Sequence, residues 1–129
     1  MRILIADADD FEARIYVRAF MTRSFDVDVV GDGEACLEEV RARPPDAILL
    51  DLMLPRRDGF GVLERLQTDA STANIPVVVV ANTAQRADIE RSCRFGHCPF
   101  FIKPFVSPNA IVGSVEALIR GAMPGAFSA

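Results

Sequence analysis

The sequence predicts an α/β fold in which a five-stranded parallel sheet is covered by helices on both faces. Short apolar runs alternate with longer amphipathic segments along the 129 residues, in five successive pairs. The apolar runs are continuous rather than alternating, which is typical of strands buried on both faces of a parallel sheet. Composition agrees with a single globular domain, because 50% of the residues are hydrophobic and 25% are charged.

The N-terminal segment predicts the first strand and the first helix. Residues 3–6 form a short apolar run that ends at an acid, Asp7, which is consistent with a buried strand. Residues 10–21 show helical periodicity, because one face of such a helix would carry Phe11, Ile15 and Ala19.

The middle of the chain repeats this pattern twice. A valine-rich strand at 27–30 precedes a helix at 34–43, which is expected to end at the two prolines that follow it. A strand at 47–50 ends at Asp51, and a loop containing a proline and an Asp-Gly turn leads into a helix at 60–67.

The C-terminal part contains the strongest strand signal, the run IPVVVV at 75–80. A more polar helix is predicted at 85–95, and a strand at 100–102 then ends at Lys103. A final apolar helix is predicted at 109–120, which completes the fifth pair of strand and helix.

Right-handed crossovers leave few ways to order five parallel strands, and the flavodoxin-like order 2-1-3-4-5 is the leading one. The prediction is therefore a (βα)5 three-layer sandwich with its site at the carboxyl ends of the strands, beside strands 1 and 3. We expect residues 1–120 to form this domain and residues 121–129 to form a frayed C-terminal tail.

Charged side chains follow the carboxyl ends of strands 1, 3 and 5. Asp7 ends the first strand with Asp9 and Asp10 close behind, Asp51 ends the third, and Lys103 ends the fifth. Converging carboxylates repel each other unless a cation lies between them, and an all-oxygen site of this kind suits Mg²⁺. Because a lysine adds a positive charge suited to a phosphoryl group, the placement predicts a carboxylate nucleophile that forms an aspartyl phosphate.

The segment around Asp51 resembles a known family. The run PDAILLDLMLPRRDGF at 45–60 is similar to the segment around the phosphoacceptor aspartate in the receiver domain of bacterial two-component response regulators (CheY-like domains). The runs IPVVVV at 75–80 and FIKPF at 101–105 are similar to the fourth strand and the lysine motif of that family. The resemblance covers residues 2–120.

This resemblance implies a role in signal transduction rather than an enzyme with a small-molecule product. Asp51 would accept a phosphoryl group from a histidine kinase or phosphotransfer protein, and Lys103 would pair with the phosphate. Asp7, Asp51 and the backbone carbonyl of Met53 would hold Mg²⁺, with Asp9 as a further candidate. A downstream protein would bind the face formed by the fourth helix, fifth strand and fifth helix.

The sequence departs from the family at two positions. Ala8 stands where the family has a second acid, which predicts Mg²⁺ binding weakened by roughly tens of fold. Ala81 stands where the family has the Ser or Thr hydroxyl that reports phosphorylation, although Phe100 keeps the aromatic switch position. These departures leave an alternative open: a degenerate receiver that acts as a phosphorylation-independent protein-interaction module.

Other classes of function fit the sequence less well. The net charge of −4 disfavours direct binding to nucleic acid, and no apolar run is long enough to span a membrane. The cysteines (Cys36, Cys93 and Cys98) show no disulfide or zinc pattern, even with His97 nearby, and predict reduced thiols in a cytoplasmic protein. A flavodoxin-like cofactor binder is a third alternative, although no Ser/Thr-rich phosphate loop follows the first strand.

Overall fold

The computed structural model describes residues 1–82, 90, 99–103 and 107–121. Five strands lie in this part of the chain: β1 (Arg2–Ala6), β2 (Asp26–Val30), β3 (Ala47–Asp51), β4 (Val77–Ala81) and β5 (Phe100–Ile102). The helices with defined bounds are α1 (Asp10–Met21), α2 (Gly33–Ala42), α3 (Gly59–Thr68) and the last helix (Pro108–Ile119). The predicted helix at 85–95, apart from residue 90, the predicted tail beyond residue 121, and Cys93, His97 and Cys98 lie outside the described residues.

The strands form one parallel sheet in the order β2-β1-β3-β4-β5, so the predicted topology is confirmed. Ala6 at the end of β1 pairs with Leu50, one residue before the end of β3. Asp51 at the end of β3 pairs with Val80, and Ala81 at the end of β4 pairs with Ile102 at the end of β5. Because these ends are in register, the residues that follow β1, β3 and β5 meet at one edge of the sheet.

The sheet separates two hydrophobic cores, and successive residues of a strand alternate between them. Leu50 packs with α2 and α3, whereas its neighbour Leu49 packs with α1 and the last helix. Both side chains are at most 1% exposed. This two-sided burial explains why β3 is an uninterrupted apolar run that ends only at Asp51.

Helix α1 has the predicted bounds but buries a different face. Phe11 is 74% exposed and Ile15 is 43% exposed, so the face that they share with Ala19 is not the buried face of the helix. The packing selects a neighbouring stripe, in which the ring of Phe20 meets the ring of Phe25 edge-on at a centroid distance of 5.2 Å. The buried residues of α1 are Ala13, Tyr16, Ala19 and Phe20.

Strand β4 begins two residues later than predicted. The backbone N–H of Ile75 donates to the carbonyl of Thr72 at 3.0 Å, so this residue belongs to the preceding turn. Pro76 has no N–H to donate to a neighbouring strand, although its carbonyl accepts a hydrogen bond from Ile48 at 2.9 Å. The ladder with β3 therefore starts at Val77.

The loop that follows β3 is fastened to the start of helix α2. The N–H of Gly33 donates to the carbonyl of Pro55 at 3.2 Å, and Arg57 Nε donates to Glu34 Oε1 at 2.7 Å. The hydrogen bond from Arg57 lowers the pKa of Glu34. This loop, residues 52–58, is thus held between β3 and α2 by one backbone hydrogen bond and two ionic contacts, the second of them between Arg56 and Asp32 at 3.5 Å.

Gly33→Ala is expected to destabilise the protein by about 2 kcal/mol, since forced overpacking costs energy of this order. A Cβ at this position would lie 2.0 Å from the carbonyl oxygen of Arg57, a backbone atom that cannot rotate away. Gly113→Ala is the matched control, because it lies within the last helix with nothing within 4 Å of its added Cβ. It should stabilise by about 0.5 kcal/mol. Urea unfolding measures the free energy of unfolding of both variants. Equal values for Gly33→Ala and Gly113→Ala would contradict the prediction.

Candidate functional site

Four charged side chains from different elements converge at the carboxyl edge of the sheet. Asp7 directly follows β1, Asp51 is the last residue of β3, Lys103 directly follows β5, and Glu12 lies in the first turn of α1. Carboxylate oxygens of Asp7, Glu12 and Asp51 all lie within 4.8 Å of one another. The four residues line an open depression together with Ala8, Asp9, Met53 and Asn82.

Each oxygen of Asp51 has a defined partner. Oδ1 accepts the backbone N–H of Met53 at 2.9 Å, and Oδ2 accepts Lys103 Nζ at 2.8 Å. The residue is 5% exposed. Its carboxylate is therefore oriented by the start of the loop that follows β3 and by a lysine from β5.

Lys103 joins two of the acids. Its backbone N–H donates to the carbonyl of Ala81 at 2.8 Å, and Nζ donates to both Asp51 and Glu12. Burial disfavours the ammonium, but the hydrogen bonds to Asp51 and Glu12 outweigh burial and raise the pKa of Lys103 above its ordinary value. The lysine thus remains a fixed positive charge beside Asp51.

Asp7 is the most deeply buried acid of the site, with 2% of its surface exposed. Its Oδ1 accepts the N–H of Asp9 at 2.9 Å, whereas its Oδ2 has no hydrogen-bond partner among the described residues. Burial, reinforced by the neighbouring Glu12, raises the pKa of Asp7 to about 8. A buried oxygen without a donor, within an all-oxygen cluster, fits a divalent cation such as Mg²⁺.

Asp9 serves helix α1 rather than the cluster. It is the N-cap, and its Oδ1 accepts the N–H groups of Phe11 at 2.9 Å and Glu12 at 3.2 Å. In a capping box the acid at the third helical position would bond the N–H of the cap, but here that N–H goes to Asp7. The side chain of Glu12 is consequently available to Lys103.

Glu12 belongs to the site but cannot be identified from the residues that end the strands, because it comes from a helix. The spacing of Asp9 and Glu12, a cap followed by an acid three residues later, is the sequence signal that could have found it. That spacing places an acid in the first turn of a helix that starts at the sheet edge.

The remaining predicted positions lie around the depression and beneath it. Ala8 lines the depression beside Asp7 and is exposed. Ala81 at the end of β4 and Phe100 at the start of β5 are both buried in the core that faces α2 and α3. Met53 exposes 69% of its surface next to Asp51. Thr83, Pro104 and Phe105 lie outside the described residues.

Comparison with known proteins finds response regulators among the relatives of this chain. The chain is 34% identical over 119 residues to the DNA-binding response regulator MtrA of Mycolicibacterium smegmatis, covering 92% of this chain and 50% of that protein. It is 33% identical over 119 residues to the response regulator PleD of Caulobacter vibrioides, covering 92% of this chain and 26% of PleD. The chain thus spans half the length of MtrA and about a quarter of PleD.

Solved structures agree with these relatives. The receiver domain of the Francisella response regulator 1452 superimposes with a TM-score of 0.84 at 25% identity, covering 93% of this chain and 97% of that one. The phosphorylated cyanobacterial phytochrome response regulator RcpA matches with a TM-score of 0.76 at 28% identity, covering 91% and 89%.

The helices of the chain and its match to a family model further define this protein. Among the described residues, no helix has both the length and the apolar character needed to cross a membrane. The family model of the response regulator receiver domain matches residues 3–116. The chain therefore belongs to the family of response regulator receiver domains.

Proposed function

We propose that this receiver domain accepts a phosphoryl group on Asp51 from a histidine kinase or a phosphotransfer protein, in the cytoplasm. The observation that carries the proposal is the pairing of Asp51 Oδ2 with Lys103 Nζ at 2.8 Å, beside a buried oxygen of Asp7 that has no hydrogen-bond partner in the described part of the chain. An oriented carboxylate next to a permanent cation is suited to attack phosphorus and to tolerate the charge that develops.

The transfer would exchange one bond for another. A carboxylate oxygen of Asp51 forms a bond to phosphorus while the bond from phosphorus to the donor's histidine nitrogen breaks, and that nitrogen keeps the electron pair. The N–H of Met53 holds the other carboxylate oxygen in place, and Lys103 would move from Asp51 to the phosphoryl oxygens. When bound, Mg²⁺ held by Asp7, Asp51 and the Met53 carbonyl would neutralise phosphoryl charge.

The phosphorylated domain would act through a protein partner rather than by binding nucleic acid itself. The net charge of −4 supports this, because an acidic chain attracts no phosphate backbone. The face proposed for the partner comprises β5, the last helix and the predicted helix at 85–95. Ala81 removes a hydroxyl that would differ in its contacts between the two states, so the signal would depend on the other groups at the site.

The test is the intact mass of the protein after incubation with acetyl phosphate and Mg²⁺. We expect the native chain to gain one phosphoryl group and Asp51→Ala to gain none. Asp10→Asn, which changes an exposed acid at the same sheet edge, is the control and should gain the group normally. Equal labelling of Asp51→Ala and the native chain would show that Asp51 is not the acceptor.

A second candidate function follows from Ala8 and Ala81. Both are alanines where the family carries a metal-ligating acid and a reporting hydroxyl, which favours a degenerate receiver recognised by its shape. No mass gain by the native chain at high Mg²⁺ would contradict the phosphoacceptor role. It would favour this phosphorylation-independent interaction module, for which a pull-down should recover the same partner with the native chain and with Asp51→Ala.

A further inference from the structure

The site contains three clustered carboxylates even though Ala8 contributes none. The sheet supplies two of them, Asp7 and Asp51, and the third is Glu12 from the first turn of α1. A site that depended on strand ends alone would have only two acids. Glu12, a residue from a helix, therefore brings the number of acids back to three although position 8 is an alanine.

We propose that Glu12 provides the metal-binding carboxylate that Ala8 cannot provide, so that Asp7, Glu12 and Asp51 together bind a divalent cation. The proposal deepens the proposed function and rests on it for its purpose, because the cation would serve phosphoryl transfer at Asp51. It concerns metal affinity alone, which can be measured without any phosphoryl donor.

The spacing of the cluster suits such a cation. Oxygens bound to one Mg²⁺ lie about 2.0 Å from the ion, so opposite ligands are at most roughly 4.2 Å apart. The carboxylate oxygens here all lie within 4.8 Å of one another, so a shift of at most about half an ångström is needed to bring them into range. The longer side chain of Glu12, 25% exposed at the rim, can make this adjustment without moving the helix.

A second observation, the hydrogen bonding of Asp7 rather than the closeness of the acids, also points to a missing ligand. Asp7 is buried to 98%, since only 2% of it is exposed, yet its Oδ2 has no hydrogen-bond partner among the described residues. A buried carboxylate oxygen without a donor is costly, and a cation would satisfy it. Among the described residues, the ammonium of Lys103 contacts Asp51 and Glu12 but is not hydrogen-bonded to Asp7, so it leaves part of the negative charge of the cluster uncompensated.

The contact between Glu12 and Lys103 means that cation binding would change the hydrogen bonds of the lysine. In the structure Lys103 Nζ is divided between Asp51 and Glu12. A cation bound by Glu12 would take that carboxylate away from the lysine. The ammonium, which has three N–H donors, would then have one more of them available for an incoming phosphoryl group.

The test is the affinity for Mg²⁺, measured by calorimetry, and for Mn²⁺, measured by electron paramagnetic resonance, without phosphoryl donor. We expect Glu12→Gln to lose about tenfold in affinity for both ions. Asp10→Asn, which removes the same charge from an exposed position in the same helical turn, should stay within twofold of the native chain. Adding Ala8→Asp to Glu12→Gln should recover most of the loss, which a folding defect at position 12 would not allow.

A loss of less than fivefold in Glu12→Gln, an equal loss in Asp10→Asn, or no cation binding by the native chain would overturn the proposal. The mass experiment with acetyl phosphate separates this failure from failure of the phosphoacceptor role. A native chain that is phosphorylated while Glu12→Gln keeps its affinity refutes only the role of Glu12. A chain whose affinity depends on Glu12 but which gains no phosphoryl group refutes only the proposed function.

Discussion

Lys103→Met is expected to lower the free energy of unfolding of the metal-free protein by about 3 kcal/mol at pH 7, because breaking a buried ion pair leaves uncompensated charge. The lysine side chain is 12% exposed and that of Asp51 is 6% exposed, so water can replace the lost ammonium only in part. Methionine keeps the apolar stem and removes only the cation. The loss should shrink when saturating Mg²⁺ neutralises the same carboxylates.

The matched control for this variant is Arg23→Met. Arg23 forms an ion pair with Glu116 at 2.7 Å, but its side chain is 52% exposed. Exposed pairs contribute about 0.5 kcal/mol, so this control should unfold almost like the native chain. Urea unfolding with and without Mg²⁺ measures all three proteins, and a Lys103→Met protein as stable as Arg23→Met would refute the expectation.

Asp7→Asn is expected to stabilise the metal-free protein by about 3 kcal/mol at pH 8, since ionising Asp7 in the folded state is costly. Burial first, and then the neighbouring Glu12, raise the pKa of Asp7 to about 8. Asparagine fills the same space without a charge, and its side-chain oxygen can still accept the N–H of Asp9. The same change should weaken Mg²⁺ binding by about tenfold or more, because a charged ligand becomes neutral.

The sign of the pH dependence follows from the direction of this shift. The folded chain retains the Asp7 proton up to a pKa of about 8, whereas the unfolded chain releases it near its ordinary value. The folded state therefore binds more protons in this interval, and the native free energy of unfolding falls as pH rises through it. The advantage of Asp7→Asn should grow from about pH 4 to pH 8 and then level off.

Urea unfolding at several pH values without metal tests this expectation. Asp10→Asn is again the control, because the acid it replaces is exposed. The expectation fails if the stability difference between Asp7→Asn and the native chain stays constant from pH 4 to pH 8. Ionisation of Asp7 would then not destabilise the folded state.

The strand order and most of the site could be predicted because both depend on the ends of buried strands. An apolar run that stops at an acid reveals both the strand and the side chain that follows it. Asp7, Asp51 and Lys103 meet because parallel strands in register end at one edge. No knowledge of side-chain packing is needed for that conclusion.

The buried face of helix α1, in contrast, could not be predicted from the sequence. The rotation of a helix about its axis depends on tertiary packing, and α1 carries apolar residues on two neighbouring stripes. The stripe with Tyr16 and Phe20 is buried, which leaves Phe11 and Ile15 exposed. The same rotation brings Glu12 to Lys103, so the exposure of Phe11 and Ile15 and the missed acid have one cause.

The contacts between α2 and the loop after β3 make the surroundings of Asp51 sensitive to ionic strength. One contact, from Gly33 N–H to the Pro55 carbonyl, is a backbone hydrogen bond that dissolved salt screens little. The others, from Arg57 to Glu34 and from Arg56 to Asp32, involve arginine side chains that are 37% and 66% exposed, so salt weakens both. Raising the salt concentration therefore weakens the two ionic contacts between this loop and α2, whereas the backbone hydrogen bond at Pro55 is kept.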